Sequence, residues 1–328
     1  MTEKNVVTAI HDTLHEEMAA DERIVVLGED IGARGGVFRI TRGFLEEFGE
    51  QRVIDTPLAE SSIVGIAIGM ALHGLLPVAE IEFADFIHPA FDQIVSEAAR
   101  MRYRSNGDFG LPMVVRAPWG GGIHGALYHS QSIEAFYGHV PGLKVVVPST
   151  PADAAGMLRA AIRDPDPVMY LENKKTYRLV KGEVPDEPFE VPIGVADVKR
   201  AGDDLSVVAY GYMLHVCLEA ADRLQRDEGA SAEVVDVRTI APLDKETILA
   251  SVRKTGKAMV VYEDNRTYGA GAEIAATIAE DAMFDLDGPI VRIGGPDIPA
   301  MGFATPLEHY YLPDADAIYA RMLELARF

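Results

Sequence analysis

Along the first half of the chain, near-continuous Val, Ile and Leu runs alternate with segments whose apolar residues recur at helical spacing. The runs "RIVVLGED" (23–30), "LPVAEIEFADF" (76–86), "LPMVVRAP" (111–118), "LKVVVPST" (143–150) and "PVMYLEN" (167–173) predict strands. Between them, "SSIVGIAIGMALHG" (61–74, closed by Gly74), "HPAFDQIVSEAARMRYRS" (88–105) and "PADAAGMLRAAIRD" (151–164, opened by a proline) predict helices, with a shorter one in "SIEAFYGHVPG" (132–142). Strands apolar on both faces belong in a parallel sheet covered by helices on each side. Residues 174–203 lose this rhythm and become charged and punctuated by Pro and Gly, as an inter-domain connection would. The alternation then resumes. "LSVVAYG", "AEVVDVRTI", "KAMVVYED" and "PIVRIGG" predict strands, and "YMLHVCLEAADRLQRDEG", "DKETILASVRKTG", "GAGAEIAATIAEDAMF" and "DADAIYARMLELARF" predict helices. The expected architecture is α/β: two doubly wound α/β domains, residues 1–190 and 204–328, joined by a linker at 191–203.

Composition narrows the classes of function. The net charge of −21, from 30 basic and 51 acidic residues, would repel a phosphate backbone, so no nucleic-acid partner is expected. The longest apolar run, "IVGIAIGMALHGLLPVA", is too short and too broken by His73 and glycines to span a membrane. The N-terminus lacks a signal-peptide core, which predicts a cytoplasmic protein. The single cysteine, Cys217, lies at an apolar helix position and reads as core, not as a nucleophile.

The chemistry concentrates in two stretches. "PWGGGIHGALYHSQSIEAFYGHVPG" holds His124, His129 and His139, at spacings that fit neither a helical metal pair nor HExxH. They line a loop and a helix start, or they form a proton-transfer site. "DTPLAESSIVGIAIGMALHG" places Glu60 at the mouth of an apolar helix, where it is a dipole partner or an acid walled in by Val and Ile. No GxGxxG follows the first strand and no GxxxxGK[ST] occurs; the Gly-x-Gly at 269–271 reads as helix packing.

Four motifs in order, "DTPLAESSIVGIAIGMALHG", "FADFIHPAFDQIVSEAARMRYRS", "YHSQSIEAFYGHVPGLKVV" and "RDPDPVMYLENK", resemble the β subunit of the thiamine-diphosphate-dependent 2-oxo acid dehydrogenases. That subunit belongs to the decarboxylating component of the branched-chain, pyruvate and acetoin complexes. The resemblance covers nearly the whole chain. It implies a pyrimidine-binding domain followed by a transketolase C-terminal-like domain, and an oxidoreductase of the EC 1.2.4 class active only with an α subunit. The implied reaction is oxidative decarboxylation of a 2-oxo acid and reductive acylation of the lipoyl group of a transacylase.

Residue by residue, Glu60 matches the carboxylate that shares a proton with the pyrimidine nitrogen of the cofactor. Phe86 matches the aromatic that packs on the pyrimidine. His129 matches the histidine near the reacting carbon; His139 and His88 are lesser candidates. Met113, Ala161, Asp164 and Asp166 match a potassium site built largely from backbone carbonyls. The family's diphosphate-holding Gly-Asp-Gly is missing: residues 106–110 read "NGDFG". Magnesium and the diphosphate are therefore expected on the α subunit, in an assembly of two α and two β chains. "RGGVF", "MRYRSNG", "APWGGGIHGALYHSQS" and "GPDIPAM" look closest to branched-chain, 2-oxoisovalerate-type members. A pyruvate or acetoin type is the alternative, as is a non-catalytic scaffold.

Overall fold

The Val- and Ile-rich runs form strands whose residues are buried on both faces. The strands of the first half are β1 (Thr2–Asn5), β2 (Ile24–Gly28), β3 (Val53–Asp55), β4 (Leu76–Glu80), β5 (Val114–Trp119), β6 (Lys144–Val146), β7 (Val168–Asn173) and β8 (Lys181–Val184); the short β1 and β8 are polar and partly exposed. The structure, a computed structural model, describes all residues 1–328. Packing divides them into two units, Met1–Trp119 with Phe136–Ile193, and Gly120–Ala135 with Gly194–Phe328. In the first unit the strand order is β6-β7-β5-β4-β2-β3, every neighbouring pair parallel. β1 and β8 form a separate antiparallel pair.

Helices cover this sheet because their apolar faces have nowhere else to go. The helix Val6–Ala20, capped by the Asn5 side chain, packs on Pro151–Arg163, which has Thr150 as its cap and Pro at its start. Ile10, Leu14, Val26, Val114, Leu158 and Tyr170 are core residues of the unit. Glu17 ties the two helices, accepting from Arg159 Nε and Arg163 Nη2, each at 2.8 Å. The expected single helix over 88–105 is interrupted. A 3₁₀ turn (His88–Ala90) and a π turn (Gln93–Ala98) precede a short α-helix (Met101–Arg104). The π turn closes through Ala99 N–H to the Ile94 carbonyl, 3.0 Å. It delivers the Ala99 carbonyl against Gly142, where an added Cβ would lie 2.0 Å away.

The second unit holds β9 (Asp197–Arg200), β10 (Leu205–Ala209), β11 (Ala232–Asp236), β12 (Thr239–Ala241), β13 (Ala258–Asn265) and β14 (Val291–Gly295). One sheet runs β14-β13-β10-β11-β9, parallel except for β9 at its edge. β9 falls inside the expected linker 191–203; three charged, half-exposed residues around the exposed Val198 leave no apolar run to read. The helices Tyr212–Glu228 and Ala315–Ala326 pack together on a core that includes Val207, Cys217, Val234, Met259 and Met322. Cys217 is fully buried, and burial pushes its thiol up, as fits an inert core residue. The glycines at 269–271 serve packing: a Cβ on Gly271 would lie 1.9 Å from the Tyr262 ring. No helix is long and apolar enough to cross a membrane.

Candidate active site

β2, β3 and β4 run parallel, so their carboxyl ends share one edge of the first unit's sheet, the edge where open α/β sheets take ligands. Three acids stand just past those ends: Glu29 after β2, Glu60 after β3 and Glu82 after β4. Glu60 is the first residue of the helix Glu60–Leu72 and is buried, 9% exposed. Ala59 before it gives no side-chain cap, so Glu60 is the one acid of the first turn, where the helix dipole favours it. On the loop leading in, the buried Thr56 Oγ1 makes no hydrogen bond. A buried hydroxyl without a partner is costly and marks a place where another group fits.

Two of these acids, Glu29 and Glu82, are raised. Burial, then the charges of Glu29, Asp30, Glu80 and Glu60, push the Glu82 carboxyl up to about 7. Burial, with Asp30 and Glu60, also raises Glu29. Glu82 therefore retains its proton well above the usual carboxylate range. Behind it lies a neutralised cluster. Arg116 on β5 donates from Nη1 to Glu80 Oε2 at 2.7 Å, and from Nε and Nη2 to the Glu172 carboxylate at 2.7 and 3.0 Å. The Tyr177 hydroxyl completes it, donating to Glu172 Oε2 at 2.6 Å.

Phe86 ends a 3₁₀ turn shortly after β4 and is half-buried. Its ring meets Phe83 edge-on, centroids 5.7 Å apart, and Phe83 in turn meets Phe38 at 5.7 Å. Glu60 and Phe86 thus come from the same edge of the sheet.

His129 lies on the segment Gly120–Ala135, which belongs to the second unit. The segment is conformationally expensive. Gly120, Gly122, His124 and Ala126 have φ of +83°, +82°, +58° and +54°. Glycine adopts that region freely; His and Ala do so at a cost. The base of the loop is closed by Gly120 N–H to the Gln131 carbonyl, 3.0 Å, and Gly121 N–H donates to Glu263 Oε2 at 3.0 Å. His129 is half-buried, and the segment packs so tightly that a Cβ on Gly125 would lie 2.6 Å from its carbonyl oxygen. His124 is exposed, with its ring Nδ1 2.9 Å from Glu308 Oε2. His139 and His88 are exposed in the first unit, His88 with its ring edge-on to Phe136 at 5.9 Å.

Just beyond His129, Glu134 is fully buried. Its Oε1 accepts from the Tyr210 hydroxyl at 2.8 Å, and its Oε2 has no partner. Burial, followed by the charge of Asp264, raises this carboxyl well above its usual range. Burial also lifts Asp264 to about 6, against the Asn265 N–H that favours its charged form.

Met113, Ala161, Asp164 and Asp166 gather at the opposite, amino end of the first sheet, just before β5 and β7. The Met113 carbonyl accepts from Val168 N–H at 3.0 Å, and the Ala161 carbonyl takes Asp164 N–H at 3.4 Å. Lys144 Nζ lies 2.6 Å from Asp164 Oδ1 and Arg102 Nε 2.6 Å from Asp166 Oδ1. Both carboxylates are already matched by cations, so these residues suit no divalent metal; the second lone pairs of the two carbonyls suit a monovalent ion.

Glu29, Glu82, Glu263 and Glu308 were not among the expected site residues. For Glu29 and Glu82 the available signal was an acid directly after an apolar strand run, "VVLGED" and "VAEIEF". The other two act across the chain, and nothing in local pattern marks them.

Both units are those of transketolase-like enzymes. Residues 2–180 match the transketolase pyrimidine-binding domain and residues 194–318 the transketolase C-terminal domain. The chain is 56% identical over 328 residues to the 2-oxoisovalerate dehydrogenase subunit beta of Bacillus subtilis (strain 168), covering 100% of both. It is 51% identical over 322 residues to the pyruvate dehydrogenase E1 component subunit beta of Acholeplasma laidlawii, covering 97% of both. A solved structure described as a split-gene transketolase, inactive beta4 tetramer, shares the fold at a TM-score of 0.80 and 24% identity, with 98% of each chain covered. The chain belongs to the β subunits of the thiamine-diphosphate-dependent 2-oxo acid dehydrogenases, oxidoreductases of the EC 1.2.4 class.

Proposed function

We propose that this chain supplies the pyrimidine half of a thiamine-diphosphate site for oxidative decarboxylation of branched-chain 2-oxo acids. A separate α subunit supplies the half that grips the diphosphate and magnesium. Glu60 carries the reading: a buried carboxyl in the first turn of a helix, at the carboxyl edge of a parallel sheet, with the unpartnered Thr56 hydroxyl on the loop that leads into that helix. When bound, thiamine diphosphate supplies the carbanion chemistry that releases carbon dioxide from a 2-oxo acid. Glu60 holds the proton shared with the pyrimidine nitrogen, and Phe86 presents its ring to the pyrimidine. Glu82, which keeps its proton up to about 7, limits the negative charge that builds up around Glu60. His129, on its held loop, gives a proton to the sulfur of the lipoyl group as the acyl unit is transferred to the transacylase; imidazole exchanges protons near neutral pH.

The α partner follows from what this sequence lacks, since "NGDFG" replaces the family's metal-holding Gly-Asp-Gly. The expected assembly is two α and two β chains. Met113 and Ala161 offer carbonyls for a potassium ion beside Asp164 and Asp166. The branched-chain preference is supported by the relative at 56% identity; the one at 51% favours pyruvate as the second reading. That Glu60, Phe86 and His129 are all present in the sequence argues against a non-catalytic scaffold.

The test is to assemble the chain with its α partner and assay 2-oxo acids of graded side-chain size with an artificial electron acceptor. We expect the highest kcat/KM for a branched side chain. A preference for pyruvate would overturn the substrate assignment, and no activity on any 2-oxo acid would overturn the catalytic reading.

A further inference from the structure

We propose that Glu308 is a positioning residue for His129: it straps down the strained loop on which that histidine is carried. The inference rests on the role of His129 given above. Glu308 sits in the short helix Thr305–Tyr311 near the C-terminus and is 2% exposed. Three contacts from one loop converge on its carboxyl group. Gly122 N–H and His124 N–H donate to Oε1 at 3.0 and 2.9 Å, and His124 Nδ1 lies 2.9 Å from Oε2.

These contacts fall where the loop needs them. Gly122 and His124 are two of its four left-handed residues, and His124 bears the cost of a side chain there. A conformation of that kind persists only where surrounding contacts over-determine it. Glu308 provides contacts to the backbone and the ring of His124 at once. Glu263 adds one to Gly121, and Gly121 lies so close to Met301 that a Cβ would be 2.4 Å from its sulfur.

The path from His124 to His129 is short and stiff. Gly125 abuts the His129 backbone, Ala126 is again left-handed, and Ala126–Tyr128 form a 3₁₀ turn that ends at His129. Where His124 sits therefore determines where the His129 imidazole is aimed. Without the Glu308 carboxyl, two N–H groups and a ring nitrogen lose their partner, and the strained backbone loses what holds it.

The test uses the enzyme assembled with its α subunit, in wild-type, Glu308→Ala, Glu308→Gln, His124→Ala, His129→Ala and His129→Ala/Glu308→Ala forms. Two activities are measured: decarboxylation with an artificial acceptor and acyl transfer to a free lipoyl domain. Hydrogen–deuterium exchange is followed over residues 120–131. We expect Glu308→Ala to speed exchange at Gly122 and His124 and to cut acyl transfer by about tenfold, with a smaller loss in decarboxylation. The double variant should be no slower than His129→Ala, because both changes disable one unit. Glu308→Gln keeps an acceptor for the two N–H groups and should retain most activity; His124→Ala, which removes only the ring contact, should fall between. If Glu308→Ala does not fold, His124→Ala carries the comparison.

Unchanged exchange across 120–131 would overturn the strap. Losses that multiply in the double variant would show Glu308 acting independently of His129 and overturn its positioning role. Wild-type acyl transfer by His129→Ala would instead remove the role of His129, and with it the catalytic consequence; faster exchange in Glu308→Ala would still establish the strap.

Discussion

The two units bury their acids in opposite ways. In the first, Glu80 and Glu172 flank Arg116, and a fully buried guanidinium supplies the counter-charge at 2.7–3.0 Å. In the second, Glu134 and Asp264 are held by a tyrosine O–H, a backbone N–H and retained protons. The first arrangement depends on one guanidinium, and burial still raises Glu80 beside it; in the second both acids are raised by burial with no guanidinium bonded to them. The difference follows what each unit carries. The arginine cluster sits behind the edge that presents Glu60, where geometry must be fixed. The proton-holding cluster lies beside the loop of His129.

The largest expected effect comes from removing the counter-charge. Arg116→Met leaves Glu80 and Glu172 buried and unpaired, which should cost about 3–5 kcal/mol in urea unfolding near pH 7. A loss below about 1 kcal/mol would mean the guanidinium is not what holds the cluster. Next is Glu134→Ala, which removes the hydrogen bond from the Tyr210 hydroxyl to Glu134 Oε1 and should cost about 1–3 kcal/mol.

Glu134→Gln sharpens the comparison further. A carboxyl raised in the folded state contributes stability that is complete below its unfolded value of 4.5 and is lost as pH rises towards its folded value. Glu134→Gln should therefore match wild type near pH 4 and exceed it increasingly as the pH rises above the unfolded value of 4.5. A constant difference across that range would contradict a retained proton on Glu134. Asp264 has the narrower window: its contribution is lost between about 3.8 and about 6, so Asp264→Asn should flatten the stability profile there and stay above wild type by a constant offset at pH 7 and beyond. The smallest effect belongs to Glu82, raised to about 7 but only half-buried. Glu82→Gln should alter the titration of stability only between about 4.5 and 7, and less than either buried acid does.

The strands that carry the site were legible because both faces of β2, β4, β5 and β7 are buried, which forces continuous apolar runs. β1, β3, β8, β9 and β12 were not, being three to four residues long, and β1, β8 and β9 are partly exposed as well. Glu60 and Phe86 stood out through the motifs around them. Glu82 did not, because an acid after a strand has the same local appearance as turn chemistry. The attachment of Gly120–Ala135 to the second unit had no local signal at all. It rests on Glu263 and Glu308, separated from the loop by 142 and 184 positions. Periodicity reports which face is buried, not which distant carboxyl a loop N–H will find.

The central claim is that Glu60 holds the proton which activates the bound cofactor. The direct measurement is hydrogen–deuterium exchange at the thiazolium carbon of thiamine diphosphate, in the enzyme assembled with its α subunit, comparing wild type with Glu60→Gln. The near-isosteric amide cannot carry that proton, so exchange should slow by about tenfold to a thousandfold while fold and assembly survive. Exchange at the wild-type rate in the assembled variant would contradict the account.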